Sequence, residues 1–350
     1  MLSALKRFGL PDHVICVIQA IYTRRMFRVK DCEQLSRPRR QLAGISQGCP
    51  LSPFLFVMLM SVLMVDAVGL LSPSDQELVR SGSLAELLYA DDTLLLSADA
   101  QSLQRFLHSV SAAGATYGLE LHWGKLQLMR VRCDAVVRRP DHAVIEAKEE
   151  ITYLGSLISA DGRSSRELVR RIALARAEFR ELSGVWRHSS LGRRRKLHLF
   201  YATVVPKLMY GLAALWLNTS ERRRLNGFQN RCLREIWGIK HAYVSRVSNA
   251  KVLQLTEQKP LSVTLERQQL LLYGKVARLG EDSAMRACTF CPGSLRPATD
   301  RFVRKIGRPR QEWTTEVGKL ARRVAGGRPL ENLISVAGRW TDAVSAFYDA

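Results

Sequence analysis

The sequence predicts an α+β chain, with helices packed on a largely antiparallel sheet over residues 1–162 and helices alone thereafter. Three observations carry this. Two apolar runs, Leu84 to Leu88 and Thr93 to Leu96, flank Tyr89-Ala90-Asp91-Asp92 and read as a strand, a turn and a strand. The run Phe54 to Val65 has helix length and follows Ser52-Pro53, a cap residue and a proline suited to a first helical turn. Beyond Gly162, Leu168, Ile172, Ala175, Phe179 and Leu182 recur at spacings of four and three, which is one helix stripe.

Taken in order, Leu2, Leu5 and Phe8 read as the last turns of a helix already under way, stopped by Gly9 and Pro11. A second helix places Val14, Ile15, Ile18 and Ile21 on one face. Met26 to Leu42 alternates and carries Arg28, Lys30, Arg37, Arg39 and Arg40, a hairpin suited to lean on phosphate. The apolar run after Ser52 reads as a helix buried on nearly every side. Gln101 to Gly118 has helical spacing, Glu120 to Met129 alternates as a strand around Lys125, and a strand pair near Ile151 to Ile158 closes the first domain. Further helices are expected at Arg194 to Met209, at Glu221 to Trp237 and on to about Leu279. A Gly/Pro/Arg-rich segment, Gly293 to Arg310, and two final helices follow. The expected domains are 1–162, 163–245 and 246–350.

The 350 residues hold 53 Lys and Arg against 32 Asp and Glu, a formal net charge of +21. Such a balance predicts a polyanionic partner, nucleic acid before an anionic membrane surface. Between Arg163 and Lys240 there are 18 basic and five acidic residues. A solvated helix face usually mixes signs, so this excess of one sign favours a phosphate-tracking surface. Arg166, Arg170, Arg193, Arg194, Arg195 and Lys196 are the candidates. No charged start, apolar stretch and cleavage site mark a secretory leader, and the longest apolar run falls short of the roughly 20 residues a bilayer needs. An intracellular protein, nuclear or cytoplasmic, is expected. Seven scattered cysteines form no disulfide framework. Cys288 and Cys291 make one Cys-x-x-Cys pair, but a zinc site needs two more ligands, no His or Cys follows, and the nearest preceding one is His241. Cys49 reads as a packing residue. Arg304 to Arg310 reads as a solvated loop, with a nuclear address or a phosphate contact as alternatives. The six tryptophans read as core or half-buried, and nothing selects one to stack on a base.

The carboxylates of Asp91 and Asp92 repel one another, and neither can be buried without a partner. A divalent cation would compensate them, whereas an ordinary acidic turn facing water would not need one. The order of the surrounding pieces decides between these. Gln47-Gly48-Cys49-Pro50-Leu51-Ser52-Pro53, then Tyr89 to Asp92, then Gly118-Leu119 through Lys125, then Tyr153-Leu154-Gly155 resembles the palm of a reverse transcriptase, in the form found in LINE-type (non-LTR) retrotransposons. The resemblance covers roughly residues 1–240. More weakly, it continues through Gly307 to Arg310 and Trp313. It implies a partial right-hand polymerase palm, a helical thumb and a helical, basic C-terminal region. It also implies RNA-directed DNA polymerisation by two Mg²⁺ ions, on an RNA template and DNA primer with deoxynucleoside triphosphates.

By the same resemblance Asp91 and Asp92 are metal ligands, Tyr89 walls the primer terminus, and Gln47, Gly48 and Pro50 lie near template and incoming nucleotide. Lys125 corresponds to a general acid toward pyrophosphate; its other reading is a surface strand lysine. His122 stands where the family usually has Asn. The family's first catalytic aspartate precedes a stop that here is Phe8-Gly9-Leu10-Pro11, so it is expected before Met1 and the chain is expected to be inactive by itself. The alternative is a non-catalytic RNA- or DNA-binding protein that keeps the basic thumb.

Overall fold

The computed structural model describes residues 1–41, 44–46, 48–188, 190–298 and 311–349. The chain divides into two compact units, Met1–Leu154 and Gly155–Ala350. The division falls within the expected strand pair near Ile151 to Ile158.

The first unit begins with α1 (Leu2–Phe8) and α2 (Asp12–Tyr22), followed by four two-residue strands, β1 (Met26–Phe27), β2 (Lys30–Asp31), β3 (Gln34–Leu35) and β4 (Arg39–Arg40). β2 pairs with β3 and β1 with β4, both antiparallel, so Met26 to Arg40 forms the expected basic hairpin. Then come α3 (Ser52–Gly69), α4 (Pro73–Arg80), the hairpin β5 (Leu84–Tyr89) and β6 (Asp92–Ser97), α5 (Ala100–Thr116) and β7 (Glu150–Tyr153). The core of this unit joins Leu63, Met64 and Ala67 of α3 to Leu84 of β5 and to Phe106, Val110 and Ala113 of α5. Asp99 caps α5 by accepting the N–H groups of Gln101 and Ser102.

Three expectations for this unit change. Ser52 does not cap α3; it is the first helical residue, and its hydroxyl donates to the Ser46 carbonyl at 2.7 Å. Nor is α3 buried all round. Phe54, Val57 and Val65 are 64%, 55% and 67% exposed, because α1 and α5 pack against the other side of the helix. α3 has the length and apolar composition of a membrane-crossing helix, features that the core helix of a globular unit shares. Finally, Glu120 to Met129 is not a strand. Trp123 to Lys125 forms a turn, with the Lys125 N–H on the His122 carbonyl at 2.9 Å, and among the described residues the segment pairs through one bridge, Leu128 to Ala147. Alternation without a neighbouring strand leaves the backbone unpaired, and the turn at Gly124 breaks it.

The second unit opens with β8 (Ser156–Ser159) and continues as helices: α6 (Ser164–Glu181), α7 (Ser183–Arg187), α8 (Arg193–Leu199), a π-helical turn (Phe200–Val204), α9 (Val205–Met209), a 3₁₀ turn (Leu212–Ala214) and α10 (Thr219–Trp237). Beyond these lie α11 (Ala242–Ser245), α12 (Asn249–Thr256), α13 (Leu261–Ala277), α14 (Ala284–Thr289), α15 (Trp313–Ala325), α16 (Leu330–Ile334) and α17 (Ala337–Asp349). Leu168, Ile172, Ala175 and Phe179 of α6 enter one core with Phe200, Leu208, Leu225 and Leu233. A second core joins Tyr273 of α13 to Val317, Leu320, Ile334 and Trp340. Pro206 accounts for the π turn. A proline inside a helix lacks an N–H and its ring crowds the carbonyl four residues back, so the preceding turn widens. Accordingly the Val205 N–H reaches the Phe200 carbonyl, five residues back.

Candidate active site and nucleic-acid surface

β5 and β6 pair in register from Leu84 opposite Ser97 to Tyr89 opposite Asp92, leaving Ala90-Asp91 as a two-residue turn. Ala90 has φ 53°, a conformation that costs a residue with a Cβ about 1 kcal/mol. The pairing therefore holds a strained apex that carries both acids. Tyr89 is 65% exposed, and Asp91 and Asp92 are exposed, their carboxylates without a hydrogen bond or ion pair among the described residues.

Below this apex lies a cavity of about 540 Å³, with apolar walls that include Leu63, Leu107 and Val110. Asp91, Asp92, His122 and Lys125 all line it. The route that brings Lys125 there starts at the end of α5, where Gly118 takes φ 72° and the Leu119 N–H returns to the Gly114 carbonyl at 3.0 Å. A residue with a Cβ would resist that left-handed turn. The two acids and the lysine, some 30 residues apart in sequence, thus share one cavity. Exposed Lys125 has no carboxylate partner among the described residues.

Gly48 and Pro50 are exposed and do not line this cavity. Their turn is fastened elsewhere: Ser52 Oγ donates to Ser46 O and lies 3.3 Å from the Tyr22 hydroxyl. Gly48 has φ 81°. Gln47 lies outside the described residues, as does Arg304 to Arg310. Mg²⁺ accepts one or two carboxylates with water and phosphate oxygens, and Asp91 with Asp92 fits that demand. A second ion bridged to the first needs further acid ligands. Among the described residues no group of three or more His, Cys, Asp or Glu is placed to hold a metal. Cys291 spends its thiol on the Pro297 carbonyl at 3.5 Å, and Cys288 is exposed.

The six basic candidates divide. Arg193, Arg194 and Arg195 at the start of α8 are exposed, with no ion pair among the described residues. Lys196 is instead buried, and its ammonium donates to the Trp186 carbonyl at 2.7 Å. Helical geometry turns it inward from the run of three arginines, which charge counting does not reveal. Arg170 is half-buried and pairs with Glu167 at 3.1 Å. Buried Glu167 also takes Arg171 and accepts the Leu157 N–H at 3.1 Å. Arg166 lies 3.7 Å from Asp161. The Glu167 to Arg170 and Arg171 spacings of three and four were the sequence signal for this pairing.

Residues 1–158 match the family model described as reverse transcriptase (RNA-dependent DNA polymerase). The chain is 32% identical over 122 residues to a retrovirus-related Pol polyprotein from the type-1 retrotransposable element R2 of Nasonia vitripennis, over 35% of this chain and 11% of that protein. It is 27% identical over 154 residues to a transposon-derived protein of Caenorhabditis elegans, over 42% of this chain and 55% of that protein. The chain therefore spans only part of each relative's length.

Proposed function

We propose that this chain carries the palm of an RNA-directed DNA polymerase of a retrotransposon, followed by a helical thumb that holds template and primer. The observation that carries the reading is the cavity shared by Asp91, Asp92 and Lys125. In this reading the two carboxylates hold Mg²⁺, which supplies charge compensation for a triphosphate and its leaving pyrophosphate. Lys125, a cation without a carboxylate partner among the described residues, donates a proton or a hydrogen bond to that pyrophosphate. Tyr89, exposed beside the acids, offers a flat wall to a primer terminus. Gln47, Gly48 and Pro50 belong to the template and nucleotide side. Arg193, Arg194 and Arg195 contact backbone phosphate, with Arg166 and Arg170 as weaker contributors because each already has an acidic neighbour.

A second reading is favoured by the donor set. Two acids without a third ligand among the described residues cannot bridge a metal pair, so the chain by itself binds nucleic acid without extending it. Primer extension by the 350-residue chain on a homopolymer template with Mg²⁺ separates the two. The expected result is binding without synthesis. Synthesis that disappears in Asp91→Asn would establish an active enzyme and overturn the second reading. Absence of both synthesis and binding would overturn the polymerase-derived reading altogether.

A further inference from the structure

A second cavity, about 460 Å³, lies within the helical unit between α8, the end of α10 and the end of α12. Arg194, Leu197, His198 and Tyr201 line one side at spacings of three, four and seven, which is a single helix face. Trp237, the last residue of α10, and Leu255, Glu257 and Gln258 line the rest. Tyr201 sits on the π-helical turn, and its hydroxyl accepts the Gln229 amide at 2.9 Å, which fixes its ring. Trp237 is half-buried and its indole N–H has no hydrogen bond among the described residues. Arg194, His198 and Glu257 are exposed and likewise show no side-chain partner among them. The cavity thus combines two flat aromatic groups, two groups able to donate to phosphate and one carboxylate.

We propose that this cleft receives an unpaired nucleotide of a single-stranded nucleic acid, with the base against Trp237 or Tyr201 and its phosphate on Arg194 and His198. The chemistry points there by exclusion as well as by fit. A bare phosphate would not need two aromatic walls. An apolar peptide would leave the charged and amide groups without partners. A base pair inside a duplex offers no free face for stacking, whereas an unpaired base does. The volume lies in the range of pockets for small ligands, which begins at about 300 Å³. Glu257 can accept from an exocyclic amino group. This inference rests on the reading of the helical unit as nucleic-acid-binding and adds a preference for unpaired strands.

The test uses the full chain and fluorescence anisotropy with two labelled probes, a 12-nucleotide single strand and a blunt 12-base-pair duplex. Trp237→Leu should weaken single-strand binding about tenfold, in keeping with the loss of one stacked base, and leave duplex binding within about twofold. Trp237→Phe should restore most of the loss, and Arg194→Gln should weaken single-strand binding and lower its salt dependence. Because Trp237→Leu could disturb the fold, photocrosslinking of the unaltered chain to a 5-iodouridine single strand gives a second measurement, with Trp237 or Tyr201 as the expected adduct. Equal loss on both probes, no loss on either, or adducts confined to other segments would overturn the proposal. A chain that binds duplex well but does not respond at Trp237 overturns this inference alone; one that binds neither probe overturns the broader reading too.

Discussion

Arg105 of α5 grips Asp75 of α4 through two parallel hydrogen bonds, Nε to Oδ2 at 2.6 Å and Nη2 to Oδ1 at 2.7 Å. Asp75 is 1% exposed, so the pair joins two helices through a carboxylate that water does not reach. Hydrogen bonding by Arg105 is the main reason its carboxyl is held below the ordinary range, and the Ser72 hydroxyl adds to it. Arg105 is half exposed, so the pair is screened on one side.

Asp75 makes the first unit sensitive to acid. A carboxylate whose folded pKa is depressed contributes stability that is complete above its unfolded value near 4 and is lost as pH falls through the folded value. Asp66, lowered by Arg7 and Tyr117, acts in the same direction. Denaturation followed between pH 6 and pH 2 should show stability declining below about pH 4. In Asp75→Asn the decline should be shallower, from a start about 1–3 kcal/mol lower at neutral pH. A pH profile unchanged by Asp75→Asn would disprove this account.

Lys196 and its neighbours should separate stability from binding. Lys196→Ala leaves the Trp186 carbonyl without its buried donor and should cost about 1–3 kcal/mol in urea unfolding, with no change in the salt slope of nucleic-acid binding. Arg193→Ala and Arg195→Ala should do the reverse. Each should lower the slope of log K against log salt by about 0.7–0.9 for every phosphate it ceases to neutralise, with little effect on the unfolding midpoint.

Gly274 in α13 is required by packing. A Cβ there would run into the indole of Trp340, which is 1% exposed and donates to the Leu270 carbonyl at 2.8 Å. Gly274→Ala should destabilise the core formed by α13, α15 and α17 by about 1–3 kcal/mol, although alanine is the better helix former. A thermal melt with tryptophan emission reads this directly, and an increase in midpoint would contradict it.

Cys232 should report unfolding of the second unit. Its thiol is buried in the α6 and α10 core, and burial pushes it up to about 12. At pH 8 it should resist iodoacetamide in the native protein, while exposed Cys16, Cys32, Cys133 and Cys288 react. Labelling of Cys232 in rising urea should then follow the unfolding transition. Fast labelling without denaturant would mean that this core opens locally.

Local patterns in the chain sufficed for the hairpin around Ala90-Asp91, the helix stripe from Leu168 to Phe179, the basic excess after Arg163 and the order of motifs that marks a reverse transcriptase domain. Each rests on patterns between near neighbours: alternation, helical period, local charge or the spacing of short motifs. What needed the tertiary structure was everything set by distant partners. Glu120 to Met129 alternates like a strand yet meets no partner strand among the described residues, and the long apolar run of α3 packs on one side. Lys196 lies in a run of arginines but points inward to Trp186, and Trp237 is singled out among six tryptophans only by the helices that end around it. A sequence fixes which bonds a residue can make; which face of an element meets another depends on packing between segments far apart in the chain.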